Sequence, residues 1–144
     1  MAAGIRRRAR CYALQVLYAL DCNEGESAER ALASYRDTFE LELEEPSLAF
    51  SKELVLAATE HRQAIDEVIQ DASRNWRIER MSRVDRNILR LATCELRHLS
   101  EAPVRVIINE AVELAKLFGA SESAAFVNGI LDRIAQRRGA PTAS

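Results

Sequence analysis

The stretch from Ser82 to Leu99, SRVDRNILRLATCELRHL, constrains the fold more than any other part of the chain. On a helix turning by about 100° per residue, Val84, Ile88, Leu91, Ala92, Leu96 and Leu99 form one broad apolar arc, with Leu89 at its edge. Arg86, Arg90 and Arg97 gather opposite, close to Thr93. So wide an apolar face cannot lie on a surface; it needs partners on several sides. Glu95 falls inside the arc, between Leu91 and Leu99. A carboxylate there must be hydrogen-bonded or paired, because burying it bare costs several kcal/mol. The stretch therefore reads as the central helix of an all-α domain, with Glu95 as a polar anchor in its core face.

The rest of the composition agrees. With 144 residues, 48% of them hydrophobic, the chain can bury one core. The expected layout is a single domain over 1–144, with an N-terminal helical lobe (1–74), a C-terminal helical lobe (75–138) and a frayed tail (139–144). Five Gly and three Pro supply little turn chemistry for a many-stranded fold. A net charge of −2 argues against indiscriminate coating of nucleic acid, but it hides a dipolar layout. Residues 6–10 hold four Arg and no acid, whereas 37–45 hold five acids and no base. Local charge selects the partner.

Several classes are disfavoured. Cys11, Cys22 and Cys94 lack C-x-x-C spacing and read as free thiols of a reducing cytoplasm. His61 and His98 are far apart in sequence and near no cysteine pair, so no zinc site is expected. No apolar run approaches the roughly 18–20 residues of a membrane span, and the basic N-terminus lacks the apolar segment of a signal peptide. There is no Gly-rich phosphate loop, nucleophile–base arrangement or metal-ligand cluster, so neither an enzyme nor a cofactor is expected.

In chain order, helices are expected over Ile5–Cys22, Ser27–Phe39 (Ser27 as N-cap), two more between Ser47 and Ser73 with a joint near Glu60–Arg62, the central helix, Val104–Phe118, and a last one opened by Ser121. Glu40 to Pro46 reads as an acidic solvated linker. Ser82 and Asp85 form S-x-x-D, a capping box. Phe118 is placed inward and Gly119 as the C-cap. Gly129, inside the last helix, costs about 1 kcal/mol relative to Ala, and close helix approach is its expected reason. Trp76, amid the series Arg74, Arg77, Arg80, Arg83 and Arg86, is expected as a lid over the core between the lobes.

The anomaly is the start of helix 1. Arg6, Arg7, Arg8 and Arg10 sit where the helix dipole presents positive charge, each unfavourable by a few tenths of a kcal/mol. With Tyr18 as a nearby stacking surface, such a cluster is equipment for single-stranded RNA: guanidinium forks hold phosphates while rings stack bases. About four such contacts predict a salt slope near −3, and roughly fifty-fold weaker binding between 50 and 200 mM salt. Arg10 falls on the inward face of the net and is expected to pair with a core carboxylate, Glu95 or Glu110. A DNA-binding helix-turn-helix fits poorly, since the Arg are not on a recognition helix after a short turn.

RRRAR followed by A-L-Q-V-L-Y (Arg6 to Tyr18), DRNILRLATCEL (Asp85 to Leu96), INEAVELAKLFG (Ile108 to Gly119) and FVNGILDRI (Phe126 to Ile134) together resemble the NusB family of bacterial transcription antitermination factors. The likeness leaves out Asn23 to about Ser73. It implies about seven helices in two packed subdomains. It also implies binding to the BoxA element of ribosomal-RNA leader transcripts together with NusE, a ribosomal protein, in an elongation complex with NusA, NusG and RNA polymerase. The family's arginine-rich motif maps onto Arg6, Arg7, Arg8 and Arg10, its RNA-facing tyrosine onto Tyr18 and its RNA-side aromatic onto Phe126. Its two acidic positions map onto Asp85 and Glu122, as contacts to RNA or NusE. Ala124 and Ala125 stand where some relatives carry polar or basic residues, so that rim should grip RNA less strongly; the series from Arg74 to Arg83 is outside the pattern. The fold also precedes a catalytic domain in some RNA cytosine methyltransferases, which is not expected here because the sequence stops where that domain would start. A helical adaptor whose Arg cluster binds an acidic protein is the alternative, and the exposed part of helix 1 offers a surface for a homodimer.

Overall fold

The computed structural model describes residues 3–39, 45–99 and 102–139. They form seven α-helices: α1 (Ala3–Cys22), α2 (Ala28–Phe39), α3 (Glu45–Glu60), α4 (Arg62–Ala72), α5 (Arg83–Cys94), α6 (Val104–Phe118) and α7 (Ser123–Gly139). A 3-10 turn (Ile78–Arg80) precedes α5, and a π turn (Glu95–Leu99) follows it. Of the linker expected over Glu40 to Pro46, Glu45 and Pro46 instead open α3 and residues 40–44 lie outside the described residues; of the tail expected over 139–144, Gly139 closes α7 and residues 140–144 lie outside them. Among the described residues no helix is long and apolar enough to cross a membrane.

The chain divides into two compact units, residues 1–60 and 61–144. The division falls one helix earlier than 74/75, because α4 packs on α5 and α7 of the second unit. In the first unit α1 packs on α2 and α3. Ala9, Ala13, Val16, Leu54 and Val55 are fully buried between these helices, and the Tyr12 hydroxyl donates to the Leu32 carbonyl at 2.8 Å. Ser27 caps α2, accepting from the Arg30 amide at 3.1 Å. Pro46 lies in the first turn of α3, where its missing N–H loses no helical bond.

In the second unit α5 is central, packed by α4, α6 and α7. Ile88, Leu89, Leu91 and Leu96 are buried as the arc requires, and Glu95 is only 4% exposed. The polar side of α5 is also inside, contrary to the sequence reading. Asn87, Arg90 and Thr93 are all buried. Arg90 forks onto Asp66 of α4, with Nε to Oδ1 at 2.8 Å and Nη2 to Oδ2 at 3.0 Å, while Nη1 donates to Asn87 Oδ1 at 3.2 Å. Helical periodicity ranks this position as polar; it cannot show that a carboxylate on α4 faces it. The structure also joins the two histidines that the sequence separates: His61 and His98 stack ring on ring, centroids 4.0 Å apart.

Gly119 is the C-cap of α6, as expected, but in an extended conformation (φ −97°, ψ −173°) rather than a left-handed one. It is needed for space: a Cβ there would sit 2.5 Å from Ser123 Oγ and 2.8 Å from the Ala115 carbonyl. Ser123 cannot step aside without releasing the Ala120 amide, which donates to its Oγ at 2.9 Å. Gly119→Ala should therefore destabilise by about 2 kcal/mol, read as a lower urea midpoint at unchanged slope. Gly129, by contrast, has nothing within 4 Å of the place a Cβ would take. No close helix approach accounts for it, and Gly129→Ala should raise stability by about 0.5–1 kcal/mol in the same measurement.

Further corrections concern the surface. Phe118 is 42% exposed rather than inward, and α7 opens at Ser123, two residues after Ser121. Trp76, expected as a lid, is 59% exposed.

Candidate nucleic-acid interface

The first unit presents the start of α1. Its first turn contains no acidic residue of its own to complement the positive end of the dipole. The turn is held by α3: the Ser47 hydroxyl donates to the Ile5 carbonyl at 2.9 Å, and the Ser51 hydroxyl reaches the Ala9 carbonyl at 3.0 Å. These serines, four residues apart on a helix that otherwise buries apolar groups, were the signal available in sequence for a fixed partner.

The four arginines divide into two pairs. Arg10 faces inward at 3% exposure, its guanidinium 5.6 Å from the centre of the Phe50 ring. Arg6 is half-buried and lies 4.9 Å from the same ring. Phe50, itself buried, is thus a cation-π seat for both, a role the sequence did not suggest. Arg7 and Arg8 are exposed. Eleven residues separate Arg7 from Tyr18, which on a helix places them about 20° apart and roughly 16 Å along the axis. Tyr18 is 39% exposed. One face of α1 therefore carries a guanidinium and a phenol ring, with Arg8 on its flank.

The second unit presents a separate polar and aromatic surface. Phe126, half-buried on α7, meets Trp76 edge to face at right angles, with centroids 6.0 Å apart. Glu122 is exposed and accepts from the Ser121 hydroxyl at 2.8 Å. Asp85 lies in the first turn of α5, where the dipole favours a carboxylate. Its amide donates to the capping Ser82 Oγ at 3.0 Å, but its own Oδ1 is buried without a hydrogen bond, so the capping box is only half made. Arg74, Arg77, Arg80 and Arg83 are exposed. Within the series Glu79 lies 3.5 Å from Arg77, and its carboxyl is held below the usual range, first by its own backbone amide and then by Arg77 and Arg80. Among the described residues no group of three or more His, Cys, Asp or Glu could hold a metal ion.

A basic helix start in the first unit, and in the second unit a buried central helix with an exposed, aromatic-braced tryptophan among exposed arginines, are the features of a helical nucleic-acid-binding protein. The NusB family profile matches residues 7–136. The transcription antitermination protein NusB of Myxococcus xanthus is 47% identical over 133 residues, covering 92% of this chain and 95% of its own. Among solved structures, NusB from T. maritima superposes with a TM-score of 0.83 at 36% identity, covering 91% of this chain and 90% of that one. The NusB chain of a complex of antitermination factors NusB and NusE with double-stranded RNA gives 0.85 at 28% identity, covering 94% and 99%. The chain belongs to the NusB family, a family of transcription antitermination factors and not of enzymes.

Proposed function

We propose that this chain binds the BoxA element of ribosomal-RNA leader transcripts as single-stranded RNA, jointly with NusE, inside an elongation complex with NusA, NusG and RNA polymerase. The observation that carries the reading is the exposure of Arg7 and Arg8 at the start of α1, in line with Tyr18. Its support includes a similar NusB whose solved complex contains NusE and RNA. The mechanism is recruitment without chemistry. Arg7, Arg8 and the half-buried Arg6 supply sequence-independent affinity for phosphates, while Tyr18 and Phe126 take splayed bases. Asp85 and the exposed Glu122 accept hydrogen bonds from RNA or from NusE. Arg10 acts from beneath, seating the helix start on Phe50.

The test is a titration of labelled single-stranded BoxA RNA, with and without NusE, at several salt concentrations. With Arg10 buried, three guanidiniums of the cluster remain for phosphates, and the expected slope is at least about −2, or roughly twenty-fold weaker binding from 50 to 200 mM salt. A flat salt response removes the Arg cluster as the grip. NusE binding without any RNA binding identifies the protein as an adaptor instead.

A further inference from the structure

Trp76 is the single tryptophan of the chain, and 59% of it is exposed. It is not on a loose loop. Its amide donates to the Ser73 carbonyl at 2.8 Å, and its carbonyl accepts from Gln70 Nε2 at 3.0 Å. The other end of the Gln70 amide accepts from the Ile78 amide at 3.0 Å, so one side chain of α4 brackets the whole turn. Ser73, 2% exposed, anchors the turn by donating to the Ile69 carbonyl at 2.8 Å. The indole is further braced by Phe126, edge to face. A large apolar ring is thus held rigidly in solvent, where it gains nothing from burial.

The charges around it select an occupant. Arg74, Arg80 and Arg83 are exposed, and none makes an ion pair with another described residue; only Arg77 does, with Glu79. A fixed aromatic face among exposed guanidiniums, four Arg to the one carboxylate of Glu79, is the equipment of single-strand binding surfaces, where every base offers a π-face and every nucleotide a phosphate. A protein partner would need a dense acidic patch to match it. We infer that Trp76, backed by Phe126 and flanked by Arg74, Arg80 and Arg83, is a base-stacking platform for a nucleotide of the single-stranded RNA. The inference rests on the RNA-binding reading above and adds to it a contact outside the motifs that resemble the family.

Because no other tryptophan is present, indole emission reports on this surface alone. Unlabelled single-stranded BoxA RNA, added with and without NusE, should quench it along the same isotherm as the anisotropy of the labelled RNA. Trp76→Ala should weaken binding about five- to a hundred-fold, Trp76→Leu similarly, and Trp76→Phe far less, all at unchanged helicity and thermal midpoint. Equal RNA affinity of wild type and Trp76→Ala with unmoved emission overturns the platform and leaves the RNA reading standing. Absence of RNA binding by wild type under every condition overturns both. Emission that responds to NusE but not to RNA assigns the surface to protein and overturns the stacking role.

Discussion

Replacing Arg7 and Arg8 together by alanine is expected to weaken binding of single-stranded BoxA RNA on the order of a hundred-fold at moderate salt. Each exposed guanidinium supplies a charge-assisted hydrogen bond to phosphate worth about 1.5 kcal/mol, and two make about 3 kcal/mol. The salt slope should flatten by about 1.4, since each single-strand phosphate contact contributes about 0.7. Stability should move little, or upward, because cations in a first helical turn oppose the dipole by a few tenths of a kcal/mol each. That opposition of sign separates a binding cluster from a structural one. Arg10→Ala should show the reverse pattern, losing stability through the emptied seat on Phe50. If the Arg7 and Arg8 double variant binds RNA as tightly as wild type, the start of α1 is not the grip.

How much of this was readable beforehand follows from what periodicity measures. The hydrophobic period placed α5 at the centre, the break at residue 61, α6 to the residue and the cap at Ser82, because each is local and repeated along the chain. It marked Arg10 as inward for the same reason. It failed where a residue's partner lies on another helix. Periodicity sets Arg90 on the polar side of the helix, and only Asp66 of α4, its counterion, shows that this side is also inside. Trp76 is expected as a lid over the core, and only the Gln70 bracket shows a turn built to hold it outside. Gly119 is the C-cap that the sequence indicates, its need for space set by Ser123, whereas the close approach expected at Gly129 has no neighbour to make it. At the proposed interface the sequence named the arginines and set Arg10 inward, but not that Phe50 seats both Arg6 and Arg10.

The same division between local and non-local information sets the largest expected stability effect. Asp66→Ala should destabilise the protein by about 3 kcal/mol, and lower the thermal midpoint by roughly 6–12 °C. Arg90 retains only 9% of its side-chain exposure, and its guanidinium cannot discharge by losing a proton. Removing the carboxylate takes away both charge-assisted bonds of the fork, while Asn87 Oδ1 at 3.2 Å is a neutral acceptor. Arg62 also approaches Asp66, at 3.9 Å, but it is half exposed and adds little. Most of the loss is therefore the penalty of a buried cation left unpaired, not the worth of the pair itself. Replacing both residues, Asp66→Leu with Arg90→Met, should then recover most of the stability, since an apolar pair of similar volume has no charge to desolvate. Urea unfolding of the two single variants and the double variant measures the coupling directly. A change within about 0.5 kcal/mol for Asp66→Ala, the size typical of a surface site, would return Arg90 to the solvated face where helical periodicity alone had put it.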